Sequence, residues 1–408
     1  MKEFDIVVFG ATSFVGRILC RYLQDVYGTE GRSLRWAIAA RSAARLEELK
    51  RELGPAAATL PVIVADAADV AALRALVART RVVVSTVGPY ALYGEPLVQV
   101  CAETGTDYCD LTGEVQWIRR MIERYEPTAR ASGARIVHCC GFDSIPSDLG
   151  VFFLQQEARR RWGRPADVVK MRVRAMRGGF SGGTAASLLN VAKEVRANPA
   201  LRKELANPYS LCVGLSVDTR LRQPNVSGAK FDKDFASWVA PFVMAAINTR
   251  IVQRSQALAP YGSEFRYDEA VSMGRGLKGR LAATASAFGL GVFMVAAALG
   301  PTRALLERFV LPKPGEGPSP EAQRRGFFDL RFLGRTEDGK VIRVKVTGDR
   351  DPGYGSTAKM LGESACALAF DVPHGERAGG FWTPATIFGE RLLARLRDRA
   401  GLTFDVID

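Results

Sequence analysis

The stretch Phe4–Gly16, FDIVVFGATSFVG, decides the fold. Phe4–Phe9 is a short apolar run of the kind that forms a strand buried on both faces. Gly10-Ala11-Thr12-Ser13-Phe14-Val15-Gly16 follows and opens a helical pattern. At such a junction the first glycine permits the tight turn, small residues let the backbone approach a pyrophosphate, and the last glycine lets helix pack on strand. Ala11 and Ser13 are the small residues here, Ser13 standing where the middle glycine usually lies. The helix N-terminus then turns free N–H groups and the positive end of its dipole toward an anion.

Working outward, Trp36–Ala40, Val62–Ala65, Val82–Ser85 and Arg135–Cys139 are further buried-strand runs. Helical patterns separate them: Gly16–Val26, Ala43–Leu53, Val70–Ala78, Glu95–Glu103 and Val115–Ala131. This βαβα order predicts an α/β fold, a doubly wound parallel sheet of Rossmann type, over residues 1–150. After Gly150 the rhythm changes. A helix over Asp148–Trp162 leads to the alternating segment Val168–Arg174, and a glycine-rich turn, Arg177–Thr184, opens another helix. Asp329–Thr336 and Lys340–Thr347 bracket Glu337-Asp338-Gly339, a hairpin signal, and helices are expected at Ser356–Phe370 and Pro384–Ala400. Residues 151–408 therefore read as a second, α+β domain for substrate and dimerisation, with Pro312–Pro320 as its linker-like stretch.

Strand ends specify the cofactor. An NAD enzyme would carry Asp or Glu after the second strand, to bind the ribose 2′-hydroxyl. Here the residues are Ala39-Ala40-Arg41-Ser42, and Arg41 with Ser42 suits a 2′-phosphate instead, so NADP(H) is expected. Arg45 could assist, or simply sit solvated on a helix face. Asp66 follows the third strand, as a contact to the adenosine or as a helix cap. Thr86, Val87, Gly88 and Pro89 follow the fourth, in a turn-rich loop expected beneath the nicotinamide ribose.

Composition closes off other classes. Lys and Arg number 56 against 43 Asp and Glu, a net charge of +13. Residues 1–150 hold 17 basic and 18 acidic side chains, and 151–408 hold 39 and 25, so the surplus lies in the second region. That surplus fits an anionic partner, but its residues are interspersed, which argues against nucleic acid. Two histidines exclude a zinc site with several His ligands. Seven cysteines without a C-x-x-C pair, and no secretory leader before Phe4, point to a reducing cytoplasm.

Leu281–Gly300, LAATASAFGLGVFMVAAALG, stands apart. No charge occurs from Leu281 to Thr302, and Lys278, Arg280, Arg303 and Arg308 flank it. Twenty residues at about 1.5 Å each span roughly 30 Å, the thickness of a bilayer core. Three readings stay open: a membrane span, a buried or subunit-interface helix pair, and a segment dipping into the inner face of a membrane.

Taken together, Gly10–Gly16, Ala40-Arg41-Ser42, Val87-Gly88-Pro89-Tyr90, Tyr108–Glu114 and Gly141–Asp148 resemble the saccharopine-dehydrogenase-like oxidoreductases, and within them the trans-acting enoyl reductase branch. The likeness continues through Gly178–Thr184, Asp351–Tyr354 and Gly379–Pro384. It implies an NADP-binding domain followed by a dimerising α+β domain, hence a homodimer. It also implies reduction of a carbon–carbon double bond in a lipid or polyketide chain for glycolipid synthesis, and association with membranes or lipid droplets. No set of dicarboxylate-binding arginines maps onto the chain, which weakens a saccharopine-type C–N reaction as the alternative. A third class is a cofactor-binding, lipid-associated protein without turnover.

Reduction of an enoyl group needs a proton donor and a partner for the enolate oxygen. Tyr90, Tyr108, Asp110, Glu114, His138, Asp143 and Ser144 lie at strand ends or loops on the cofactor side. Tyr90 and Asp143 are the leading catalytic candidates, against packing for Tyr90 and a helix cap for Asp143. His138 reads better as a core histidine, and Asp110 as either a carboxylate partner of Glu114 or a turn former. No metal is expected.

Overall fold

The computed structural model describes residues 2–179, 182–309 and 316–407. Its strands are β1 (Phe4–Phe9), β2 (Trp36–Ala40), β3 (Val62–Val64), β4 (Thr80–Ser85), β5 (Asp107–Asp110), β6 (Arg135–Val137) and β7 (Val168–Arg177). They continue with β8 (Lys230–Asp232), β9 (Ser237–Pro241), β10 (Arg266–Gly274), β11 (Phe327–Arg335), β12 (Val341–Gly348), β13 (Gly380–Trp382) and β14 (Leu402–Val406). Two seven-stranded sheets result, in the orders β13-β6-β5-β4-β1-β2-β3 and β14-β12-β11-β7-β10-β9-β8.

The first sheet is parallel throughout, as the apolar runs require. All six residues of β1 are buried, because helices cover both faces. The second sheet is mixed. Its hairpin of β11 and β12 turns at Gly339, whose φ of +87° meets the conformational demand of the tight turn.

Two features depart from the sequence reading. Strand β6 ends at Val137, and Cys139 has a φ of +61° beyond it, so the expected strand to Cys139 is shorter. The second departure concerns the boundary at residue 150: β13 returns to the first sheet from residue 380, beside β6. A buried ion pair holds that return. Arg135 donates from Nε to both carboxylate oxygens of Asp107 at 3.1 Å, and from its other nitrogens to the carbonyls of Val372 and Leu368. Glu363 does the same for the first helix, Phe14–Tyr27, since Tyr22 and Tyr27 donate their hydroxyls to it at 2.7 Å. Such partners lie hundreds of residues apart, and no local pattern announces them.

The apolar segment forms one helix, Gly276–Ala298, followed by a second at Gly300–Phe309. The buried reading fails: only 11% of its apolar window lies inside the protein, and Phe288 is 73% exposed. Of the glycine-rich turn at 177–184, residues 180 and 181 lie outside the described residues, as do 312–315 of the linker-like stretch.

Candidate active site at the carboxyl edge of the parallel sheet

The loops after β1, β4, β5 and β6 all emerge at one edge of the parallel sheet, where ligands of doubly wound folds bind. The first is a cradle. Gly10 has a φ of +86°, and a Cβ there would meet Val87 Cγ2 at 2.7 Å and Thr86 Oγ1 at 2.8 Å. Ser13 caps the helix Phe14–Tyr27 by accepting from the Gly16 amide at 2.9 Å. The Phe14 and Val15 amides, in the first helical turn, then have no carbonyl within the helix to receive them. Thr86 fastens the cradle to the β4 loop: its hydroxyl donates to Gly10 O at 2.9 Å and lies 3.0 Å from Ser13 Oγ. Val87 packs against Gly10, and the Gly88–Pro89 peptide that follows is cis.

Arg41 is exposed just beyond the end of β2, with no acidic residue adjacent to it in sequence. Ser42 caps the helix Ala43–Leu53 by accepting from the Arg45 amide, an arrangement that leaves its own O–H available to donate. Asp66, by contrast, closes a turn by accepting from the Ala68 amide at 2.9 Å, and Asp69 is the cap of the next helix.

Tyr90 is not an open donor. It is buried, its hydroxyl donates to the Ser85 carbonyl at 2.9 Å, and its ring lies 5.4 Å from Trp117. Burial and nearby carboxylates push that hydroxyl well above its usual range, so it stays protonated. The Tyr90 and Ala91 amides donate to the two oxygens of buried Glu114 at 2.8 and 2.9 Å, and Ser187 Oγ adds a third bond. Glu114 thus anchors the β4 loop and forms no pair with Asp110.

Asp110 is the hub that sequence reasoning underrated. Fully buried at the end of β5, it accepts from Tyr108 Oη at 2.9 Å, the Thr112 amide at 3.1 Å and the Cys139 amide at 3.2 Å. His138 Nδ1 lies 2.7 Å from its Oδ2, while three aromatic rings enclose the imidazole. His138 is therefore the satisfied core histidine expected at its Nδ1, with no protein partner at Nε2 among the described residues. The available signal was a carboxylate ending one buried strand beside a histidine following its parallel neighbour.

Asp143 sits in the loop between β6 and the helix Ile145–Trp162, half-buried beside Gly113. Burial, reinforced by the negative charge of Asp110, pushes its carboxyl up to about 7. No side-chain hydrogen bond engages it among the described residues. It does not cap the helix that follows, since the cap position is Ser144. Ser144 instead donates to Asn248 Oδ1 at 3.2 Å, and Asn248 in turn donates to Glu269 of β10 at 3.0 Å. This chain ties the loop to the mixed sheet. A cavity of about 320 Å³ elsewhere, around Lys170, Arg172 and Asp232, is lined largely by charges that pair with one another.

The saccharopine dehydrogenase NADP binding domain matches residues 6–137. A Mycobacterium tuberculosis protein provisionally named a trans-acting enoyl reductase is 41% identical over 408 residues, covering 97% of this chain and 96% of its own. The chain belongs to the saccharopine dehydrogenase-like oxidoreductases, in their trans-acting enoyl reductase branch. The trans-acting enoyl reductase of Mycobacterium bovis is 38% identical with the same coverage. Saccharopine dehydrogenase (L-Glu forming) of Saccharomyces cerevisiae shares the fold, with a TM-score of 0.55 at 13% identity over 99% of this chain and 100% of that one.

This member of the family is an NADP-dependent oxidoreductase. Its cradle suits the dinucleotide sterically, since the positions nearest the Gly10 turn have no room for a side chain. Gly10–Gly16 would hold the pyrophosphate, and Arg41 with Ser42 the 2′-phosphate. An Arg41→Ala variant is therefore expected to lose about tenfold or more in NADPH affinity while NADH affinity changes little, as measured by fluorescence titration. Equal losses for both cofactors would remove Arg41 from the phosphate site.

Proposed function

We propose that this oxidoreductase reduces the carbon–carbon double bond of a 2-enoyl thioester in a lipid or polyketide acyl chain, with Asp143 as proton donor. Bound NADPH supplies the hydride. The observation that carries the assignment is the Asp143 carboxyl: half-buried, without a side-chain hydrogen bond among the described residues, and pushed up to about 7 by burial and the Asp110 charge, at the edge where the cradle lies. A group with that value is about half protonated at neutral pH, so a large share of it carries a proton it can release, as a general acid must. The relatives' names supply the enoyl group.

Other residues position. Thr86 locks the β4 loop to the cradle, Glu114 holds the Tyr90 and Ala91 amides, and Asp110 fixes the backbone at Thr112 and Cys139 while its charge raises Asp143. Tyr90 belongs with them as a packed support.

The experiment is NADPH oxidation, followed by absorbance, with a 2-enoyl thioester and separately with an amino-dicarboxylate and its oxo partner. Turnover of the thioester alone is expected. Turnover of the amino-dicarboxylate alone would assign C–N chemistry, and tight NADPH binding without oxidation of either would mark a binding protein.

A further inference from the structure

The run Asp351–Thr357 lies far beyond the nucleotide cradle in sequence, yet it packs against the cradle and against the loop that carries Asp143. Pro352–Ser356 winds as a single π-helical turn, closed by the Ser356 amide donating to Asp351 O at 2.9 Å, and the helix Thr357–Cys366 continues from it. Wide turns of this kind recur at functional sites. Fully buried Asp351 shapes the turn. Its Oδ2 accepts from the Tyr354 amide at 2.8 Å, and its Oδ1 accepts at 2.9 Å from the amide of Gly179, in the glycine-rich segment after β7. A Cβ on neighbouring Gly178 would fall 2.5 Å from that same Oδ1, so the segment can approach only without a side chain there.

Two contacts carry the turn to the site. On one side the Tyr354 ring meets Phe14, the first residue of the cradle helix, edge to face with centroids 5.2 Å apart. Gly317 approaches the Phe14 ring so closely that a Cβ there would fall 2.4 Å from it. The C-terminal half of the cradle helix is held by the same unit, because Glu363 of Thr357–Cys366 receives the Tyr22 and Tyr27 hydroxyls. A helix packed near both ends keeps one direction, so its free N-terminal amides point at one place. On the other side Thr357 Oγ1 accepts from the Phe142 amide at 2.9 Å and donates to Pro352 O at 2.8 Å. Phe142 immediately precedes Asp143, and a Cβ on Gly141 would lie 2.9 Å from Thr357 Cγ2, so this loop is seated closely on the turn.

We infer that the turn Asp351–Thr357 is a positioning element shared by the two halves of the site: Tyr354 sets the cofactor helix through Phe14, and Thr357 sets the Asp143 loop through the Phe142 amide. The Thr357 half rests on the proton-donor role proposed for Asp143, whereas the Tyr354 half needs only the cofactor.

Isothermal titration of the full-length protein with NADPH tests the Tyr354 half without any acceptor. Tyr354→Leu removes the ring and is expected to lower affinity about tenfold. On a Phe14→Leu background the same change should add less than about twofold, because its effect runs through that ring. Asp351→Asn leaves one acceptor oxygen where two are in use and should lower affinity about fivefold, which decides the role if Tyr354→Leu does not fold. Wild-type affinity in these variants, or an undiminished loss on the Phe14→Leu background, would overturn the role. Thr357→Val removes the hydroxyl at nearly constant shape. With a 2-enoyl thioester its kcat should fall about tenfold while NADPH affinity holds, Thr357→Ser should recover most of that loss, and on an Asp143→Asn background the Val change should add less than about twofold. Wild-type kcat in Thr357→Val would overturn the Thr357 half. Absence of thioester turnover in the wild type would overturn that half together with the Asp143 assignment, while the affinity result stands by itself.

Discussion

A Gly16→Ala enzyme is expected to lose about 100-fold or more in NADPH affinity while remaining folded. A Cβ at this position would fall 2.3 Å from the carbonyl oxygen of Gly10 and 2.8 Å from that of Ala11. Both obstacles are backbone, so neither can rotate away. Relief requires the turn to open by roughly 1 Å, and a displacement of that size in a positioning element costs on the order of 100-fold. The damage spreads, because Ser13 Oγ receives the Gly16 amide and also touches Thr86, which bonds Gly10. Isothermal titration with NADPH measures the loss, and the thermal transition checks the fold. Retained affinity would show that the pyrophosphate does not rest on this turn.

Asp143→Asn carries the second large effect. With a 2-enoyl thioester, kcat is expected to fall by about 10²- to 10⁴-fold, the range for removing a general acid. The pH profile distinguishes this role from a structural one. In the wild type the protonated fraction falls as pH rises through about 7, so kcat should decline above neutrality. The Asn variant should lack that limb. Wild-type stability falls in the same pH direction. The folded value lies above the usual carboxylate value of about 3.9, so folding takes up a proton between the two, and the wild type loses stability as pH rises through that window. Asn never ionises and escapes the loss, so the variant should be at least as stable at pH 8. A slow variant that keeps the alkaline limb would return the proton donor to another group.

Much of the nucleotide site was legible because it is local. The turn, helix start and β2 terminus lie within residues 4–42, and short-range sterics fix them: a positive φ at Gly10, a hydroxyl cap at Ser13, and no carboxylate near Arg41. The catalytic edge was only partly legible. Sequence placed Tyr90 and Asp143 together as candidates, and the fold gave them different roles, locking the Tyr90 hydroxyl to Ser85 O and leaving the Asp143 carboxyl without a side-chain hydrogen bond among the described residues. Asp110 was underrated because its partners, Tyr108, Thr112, His138 and Cys139, come from two strands and the loops that follow them.

What the sequence by itself determined is the α/β class, the dinucleotide cradle and the preference for NADP, since each follows from the conformational freedom and chemistry of consecutive residues. Only the tertiary structure decided the rest. It carried residues 380–382 back into the first sheet, through Arg135 and Asp107, and it raised the Asp143 carboxyl by bringing burial and the Asp110 charge together. It also settled that Gly276–Ala298 is largely exposed. Composition records how apolar a helix is, whereas exposure depends on what the remainder of the chain lays against it.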